Sequence, residues 1–205
     1  MTNPQGKILK GTWIQLEPIN EHHKSDLFIA AQNEEIWAST AAKAFGEKFY
    51  PWFDKALLGL HEKRELPFIV RRLSDEKIIG STRYYDIRRE HQRLTVGYTW
   101  YVPEVWGSYV NPESKLLLFQ FAFEELNVNR VEFATDARNV HSRAAIKKLG
   151  AKEEGVLRQH MVLTDGFIRD TVMFSIVKSE WPEIKAALQT RLENFKKITA
   201  KVNFD

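Results

Sequence analysis

The stretch that decides the fold reads RLTVGYTWYV at 93–102, PEVWGSYV at 103–110, NPESKLLLFQFAFEEL at 111–126 and RVEFAT at 130–135. The first block is rich in β-branched and aromatic residues, the composition of a strand. Asn111, Pro112 and Glu113 then supply an expected N-cap, a proline at the first helical position and an acidic residue in the first turn. Leu116, Leu117, Phe119, Gln120 and Phe123 carry that helix on to Leu126. Residues 130–135 return to strand. A strand–helix–strand crossover of this kind joins parallel strands with a right-handed connection.

The flanking segments add antiparallel strands. Residues 12–19 alternate, with Trp13 and Gln15 on one face and Ile14 and Leu16 on the other. Two helices are expected next, at 21–32 and about 46–63. The strand candidates 67–72, 77–87 and 93–102 are separated by turn-like clusters and read as a meander. Beyond the crossover, Asn139 caps a helix carrying Ala144, Ala145, Ile146 and Leu149, and Gly150 stops it. Strands 152–163 and 167–177 flank the hairpin signal Thr164-Asp165-Gly166. Ser179 is expected to cap a final amphipathic helix, 179–199, which could pack on its own domain or on a second chain as a homodimer. The fold class is α+β: a mixed, mostly antiparallel sheet flanked by helices, with one parallel unit and a C-terminal helix. The expected divisions are a flexible lead-in at 1–10, one domain at 11–182 and a helical extension at 183–205.

Bulk properties narrow the function. With 205 residues, 43% hydrophobic and 28% charged, the chain can bury a core without a metal or disulfide. It has no cysteine, which excludes thiol nucleophiles and zinc–thiolate sites. No histidines stand at metal-ligand spacing, so no metal is expected. A net charge of +3 and short basic pairs such as Arg88-Arg89 and Lys147-Lys148 argue against nucleic acid as a partner. No apolar run is long enough to span a bilayer, and residues 1–10 lack a signal-peptide core, so the expectation is a cytoplasmic protein without a membrane partner.

A strand running into a turn and a helix N-terminus presents free N–H groups and a helix dipole to an anion. Alone this is a common arrangement. Read together, Gly97-Tyr98-Thr99-Trp100, Trp106-Gly107, Asn111-Pro112-Glu113-Ser114-Lys115, Asn139-x-x-Ser142 and Leu149-Gly150-Ala151 resemble the GCN5-related N-acetyltransferase (GNAT) superfamily. The branch they resemble is the RimJ/RimL type, which acetylates ribosomal-protein N-termini. The resemblance covers about residues 12–182 and is most specific from Thr135-Asp136-Ala137-Arg138-Asn139 to Gly150-Ala151.

The resemblance implies acetyl-CoA as co-substrate. Its pantetheine arm would add to the edge of the strand near Tyr101 and Val102, where that strand splays from 130–135. Its pyrophosphate would meet Trp106, Gly107, Ser108, Tyr109, Val110 and Asn111. The family's turn reads Arg/Gln-x-x-Gly-x-Gly/Ala. Here Trp106, Tyr109 and Asn111 replace its arginine or glutamine, its glycine and its final small residue. A tyrosine in the glycine position must point away from the cofactor or narrow the site. Asn139 matches the residue that holds the pantetheine, besides serving as a helix cap. Ser142 matches the hydroxyl that protonates the leaving thiolate.

Glu132 is the carboxylate best placed to act as base, with a surface ion pair as its ordinary alternative. Asp136 is expected to shape the turn before Asn139, and His160 is a half-buried strand histidine that could reach the site. The acceptor implied is a primary amine, preferably a protein N-terminal α-amine, with small-molecule amines as the alternative. Two other classes compete: a non-catalytic acyl-CoA sensor and a nucleic-acid-binding protein.

Overall fold

The computed structural model describes residues 6–38, 40 and 42–202, with side chains described through residue 197. The first half of the expected lead-in, 1–5, and the end of the expected extension, 203–205, lie outside the described residues. The strands are β1 (Leu9–Lys10), β2 (Ile14–Pro18), β3 (Leu66–Arg72), β4 (Ile78–Arg88), β5 (Arg93–Tyr101), β6 (Arg130–Asp136), β7 (Lys152–Val162) and β8 (Ile168–Val177). The helices are α1 (Lys24–Ala30), α2 (Phe49–His61), α3 (Val110–Gln120), α4 (Val140–Lys147) and α5 (Trp181–Val202). The eight strands form one sheet in the order β1-β2-β3-β4-β5-β6-β8-β7. Every pairing is antiparallel except β5 with β6, the pair joined by the α3 crossover. This is the mixed α+β architecture that the sequence implies. Among the described residues, no helix is long and apolar enough to cross a membrane.

The two faces of the sheet carry different layers. On one, α3, α4 and α5 bury Phe119, Ile146, Leu149, Trp181, Ile184 and Leu188 against Leu94, Val131, Val172 and Phe174. On the other, the α1–α2 region packs Leu27, Trp37, Phe49, Trp52 and Phe53 onto Ile69, Ile78 and Trp100. This second layer covers β2 to β5, while β7 beyond them is exposed along its whole length. The π-helical turn Phe121–Glu125 extends α3 and lets Phe121, Ala122 and Phe123 all be buried in succession. Phe123 stacks on Trp181 at 5.6 Å, so α5 packs on its own domain.

Several local expectations give way to side-chain chemistry. The lead-in contains β1, with Leu9 buried and paired opposite Leu16. The first helix is split into a 3-10 turn at Glu21–His23 and α1, because the Asn20 side chain accepts the His22 N–H and ends the chain's extended run there. Helix α5 starts at Trp181, so Ser179 lies inside a 3-10 turn and is not its cap; the Glu180 carboxylate accepts the Val177 N–H at 3.0 Å instead. The proposed boundary at residue 182 falls inside α5, whose buried Ile184 and Leu188 belong to the core. Helix α4 ends at Lys147 with Lys148 as its C-cap, earlier than expected, and Gly150 closes the turn that follows at φ +90°; Gly166 turns the β7–β8 hairpin at φ +81°.

Helix α3 begins one residue before Asn111, so the N-cap expected of Asn111 is corrected. The Ser108 hydroxyl takes the capping part: it accepts the Val110 N–H at 3.2 Å and donates to the Val105 carbonyl at 2.6 Å. Glu113 is no surface dipole partner either. It is buried, and its carboxylate accepts the N–H groups of Thr12 (2.6 Å), Trp13 (3.1 Å) and Ile14 (3.1 Å). It therefore ties the start of β2 to α3, and a side chain on Gly11 would run into it. Glu113→Ala leaves those donors without their acceptor. We expect a loss of about 3 kcal/mol, within the range for unpaired buried groups, read as a lower urea midpoint. An unchanged midpoint rules out the clamp.

Candidate active site

Strands β5 and β6 pair only over Arg93↔Arg130, Leu94↔Val131 and Thr95↔Glu132. Beyond Thr95 and Glu132 they part, and an open gap separates their C-terminal halves. One cause is a bulge in β5. Gly97 pairs with Arg83 and Trp100 with Ser81, so Tyr98 and Thr99 together face Thr82. Tyr98 takes φ +51° there, in the left-handed region. At the far end of the gap, β5 leads into the 102–109 turn and α3, and β6 leads through 137–139 into α4. Two helix N-termini thus flank the ends of two parallel strands, the place where open sheets gather anionic ligands.

The expected site residues fall around this gap, with corrections. Successive strand residues turn their N–H and C=O groups to opposite edges. The Val102 N–H bonds the Ile79 carbonyl at 2.9 Å, so Val102 faces β4 and is removed from the pantetheine edge. Tyr101 then faces the gap. Its carbonyl accepts the Trp106 indole N–H at 2.8 Å, which folds Trp106 back over the strand end. The Tyr101 hydroxyl donates to the Asn111 side-chain oxygen at 3.3 Å, and burial raises its pKa well above the ordinary value. Asn111 therefore braces the inside of the turn. Val110 is fully buried, and its N–H is already held by Ser108.

The tyrosine in the glycine position points away from the gap. The Tyr109 ring stacks on Trp13 at 4.7 Å, beside β2, three strands from the gap. Gly107 supplies what that position lacks. It has φ +73°, and a Cβ on it would meet nothing within 4 Å, so the backbone of the turn is open on that side. The donor set and the space fit a diphosphate.

Across the gap, the Asn139 side-chain oxygen accepts the Ser142 N–H at 2.9 Å, as a cap should. Ser142 is half-buried on the first turn of α4. Asp136 shapes the preceding turn as expected: it accepts the Arg138 N–H at 2.9 Å and the Arg138 guanidinium, which lowers its pKa. His160 bonds Thr171 at 3.0 Å on the hairpin. The Glu132 carboxylate is held by Arg93 and Arg130, each at 2.7 Å. It is the ion-paired strand glutamate of the alternative reading.

Three residues of the site region are not singled out by the sequence reasoning. Lys115, one turn into α3, is 4% exposed and donates to Thr99 Oγ1 at 2.9 Å. Burial pushes its pKa down to about 7. Thr99 in turn pairs with Thr82 at 2.8 Å. Arg83, on β4, is buried on the opposite face of the sheet beside Tyr98. The signal for Lys115 was available: it sits one turn before Leu118 and Phe119, on the apolar stripe. A groove of about 250 Å³ between α4 and α5 lies at the end of α4 remote from Asn139 and shares none of these residues.

Similarity to known proteins agrees with this geometry. The family model described as an acetyltransferase (GNAT) domain matches residues 14–152. A relative named uncharacterized N-acetyltransferase YoaA, from Bacillus subtilis, is 30% identical over 178 residues, covering 83% of this chain and 97% of that protein. The putative ribosomal N-acetyltransferase YdaF of the same organism is 30% identical over 109 residues, 53% of this chain and 58% of its own length. A crystal structure of a GCN5-related N-acetyltransferase from Brucella melitensis superposes with a TM-score of 0.83 at 30% identity, covering 91% of this chain and 86% of that one. The chain belongs to the GNAT superfamily and is an N-acetyltransferase. Enzymes of this family use acetyl-CoA.

Proposed function

We propose that this chain transfers acetyl directly from acetyl-CoA to a primary amine, with a protein N-terminal α-amine as the acceptor. The observation that carries the reading is the parting of β5 from β6 after Thr95 and Glu132, with the α3 and α4 N-termini at its end. Bound there, acetyl-CoA supplies an acyl group activated as a thioester. The Tyr101 N–H faces the gap and bonds the pantetheine arm. The N–H groups of Gly107, Tyr109 and Asn111 receive the diphosphate. The Asn139 amide bonds the arm from the α4 side. Ser142 gives a proton to the departing sulfur. The name of the relative YdaF, putative ribosomal N-acetyltransferase, supports a protein N-terminus as acceptor.

Glu132 is left out of the chemistry, because both its oxygens already accept guanidinium donors. A peptide α-amine has a pKa near 8, so a useful fraction is neutral at pH 7 without a strong base. Calorimetry with acetyl-CoA tests the first half of the reading: saturable heat is expected, and none at high micromolar cofactor ends it. Thiol release over a panel of amines and N-terminal peptides tests the second. Silence across that panel, with cofactor bound, makes the chain a sensor.

A further inference from the structure

Arg83 is 1% exposed, yet only part of its guanidinium is used. Nη1 donates to Glu65 Oε2 at 2.6 Å, while Nε and Nη2 have no hydrogen-bond partner among the described residues. Unpaired buried donors of this kind are rare and call for an occupant. The guanidinium lies between two rings, Trp52 at 5.2 Å and Tyr98 at 4.3 Å. Trp52 belongs to the inner wall. Tyr98 is the outer cover: it is 39% exposed, stands edge-on to Tyr85 at 5.2 Å, and holds the left-handed φ of the bulge. A bulky residue in that region is a strained feature that calls for a reason.

The location supplies one. Arg83 pairs with Gly97, two residues past the last β5–β6 pair. The face of the gap that carries α3 and α4 is filled by those helices. An amine must therefore approach from the other face, across Tyr85 and Tyr98. An acceptor lying there has its groups beside Arg83. Glu65 is also half-hidden and already balances the guanidinium charge, its side chain being 12% exposed. What remains is a pair of donor nitrogens, Nε and Nη2, in an ion pair with no net charge. Such a pair suits a neutral carbonyl oxygen better than a second carboxylate, which would crowd Glu65.

We propose that Arg83 is a specificity-determining residue, whose Nε–H and Nη2–H bond the first carbonyl oxygen of an N-terminal peptide acceptor once the Tyr98 ring swings aside. This deepens the acceptor reading above and rests on it. A polar site that must hydrogen-bond its ligand rejects analogues lacking the matching group, because its buried donors are then left unpaired. Peptides should therefore be preferred to a free amino acid, and both to an alkylamine without an oxygen.

The test compares three acceptors sharing one side chain: a short peptide with a free α-amine, the free amino acid and the decarboxylated amine. In the native enzyme, kcat/KM should fall in that order, with the peptide at least tenfold above the alkylamine. Arg83→Lys keeps the ion pair with Glu65 but removes the two donors. It should cut the peptide-to-alkylamine ratio of kcat/KM at least tenfold, through KM for the peptide more than kcat. A folded variant with an unchanged ratio overturns the proposal, as does an amino acid that outperforms the peptide. Tyr98→Gly suits the bulge and strips the cover, giving a second variant in which peptide KM should fall. A readout free of turnover is the Arg83 Nε–H resonance during titration with the peptide. It should shift with the peptide and stay with the alkylamine; a resonance unmoved by saturating peptide overturns the assignment. If no acceptor is acetylated at all, the proposed reaction fails, and this titration still decides the role of Arg83.

Discussion

Lys115→Met should make the protein more stable at neutral pH and remove most of the rise in its stability between pH 7 and 9.5. The Lys115 amine is buried with one described hydrogen bond, to Thr99, and burial lowers its pKa from 10.5 to about 7. In the unfolded chain it regains its ordinary value. Between those two pH values the unfolded state holds a proton that the native state lacks. Stability must then rise with pH across the window, and the penalty is fully present below pH 7. A shift of this size corresponds to roughly 5 kcal/mol at pH 7, of which about 3 kcal/mol is recovered by pH 9.5. Burial also raises the pKa of Tyr84, Tyr85 and Tyr101, which costs stability only above about pH 10, outside the window. Methionine fills the same space, and Thr99 keeps its bond to Thr82. Urea unfolding at several pH values decides the matter: the native curve should climb and the variant curve stay level. Parallel curves mean that Lys115 is charged in the folded protein.

Lys115 also shows where reading the sequence stops. The strands, the crossover, the helix start at Asn139 and the turn at Gly150 were legible, because each rests on local rules: alternation, capping and a positive-φ glycine. The family was legible for the same reason, in runs of adjacent residues. Partners far apart in sequence were not. Glu113 looked like a dipole partner of its own helix, yet the N–H groups that its carboxylate accepts lie about a hundred residues away, at Thr12, Trp13 and the first residue of β2. Asn111 looked like a cap, but it lies inside α3 with its side-chain oxygen on the Tyr101 hydroxyl, and the Ser108 hydroxyl accepts the Val110 N–H instead. The Tyr109 problem could not be solved locally either, since it depends on Trp13 offering a ring to stack on. Arg83 and Tyr98 meet only because the bulge turns Tyr98 over the β4 face. The bulge itself leaves no mark in the sequence beyond Gly97.

Ser142→Ala should lower kcat about 100-fold, the low end of what a positioned proton donor contributes. Transfer forms the amide C–N bond and breaks the C–S bond. The sulfur leaves with the electron pair of that bond and takes a proton, supplied in the balance by the attacking amine. A thiol with a pKa near 8.5 is a poor leaving group until a proton is on offer, and a hydroxyl at the gap can pass one. Ser142 is placed for this by its backbone: its N–H is fixed by the Asn139 oxygen at 2.9 Å, which orients the first turn of α4. That bond uses the main chain, so alanine preserves the cap, and affinity for acetyl-CoA should change by less than about threefold. The separation of kcat from binding is what distinguishes a proton donor from a packing residue. A second measurement sharpens it. With a thioester whose thiol is more acidic, the sulfur needs less help, and the deficit of the variant should shrink. If kcat for Ser142→Ala stays within twofold of native, the proton comes from solvent, and α4 contributes only the Asn139 contact and its dipole.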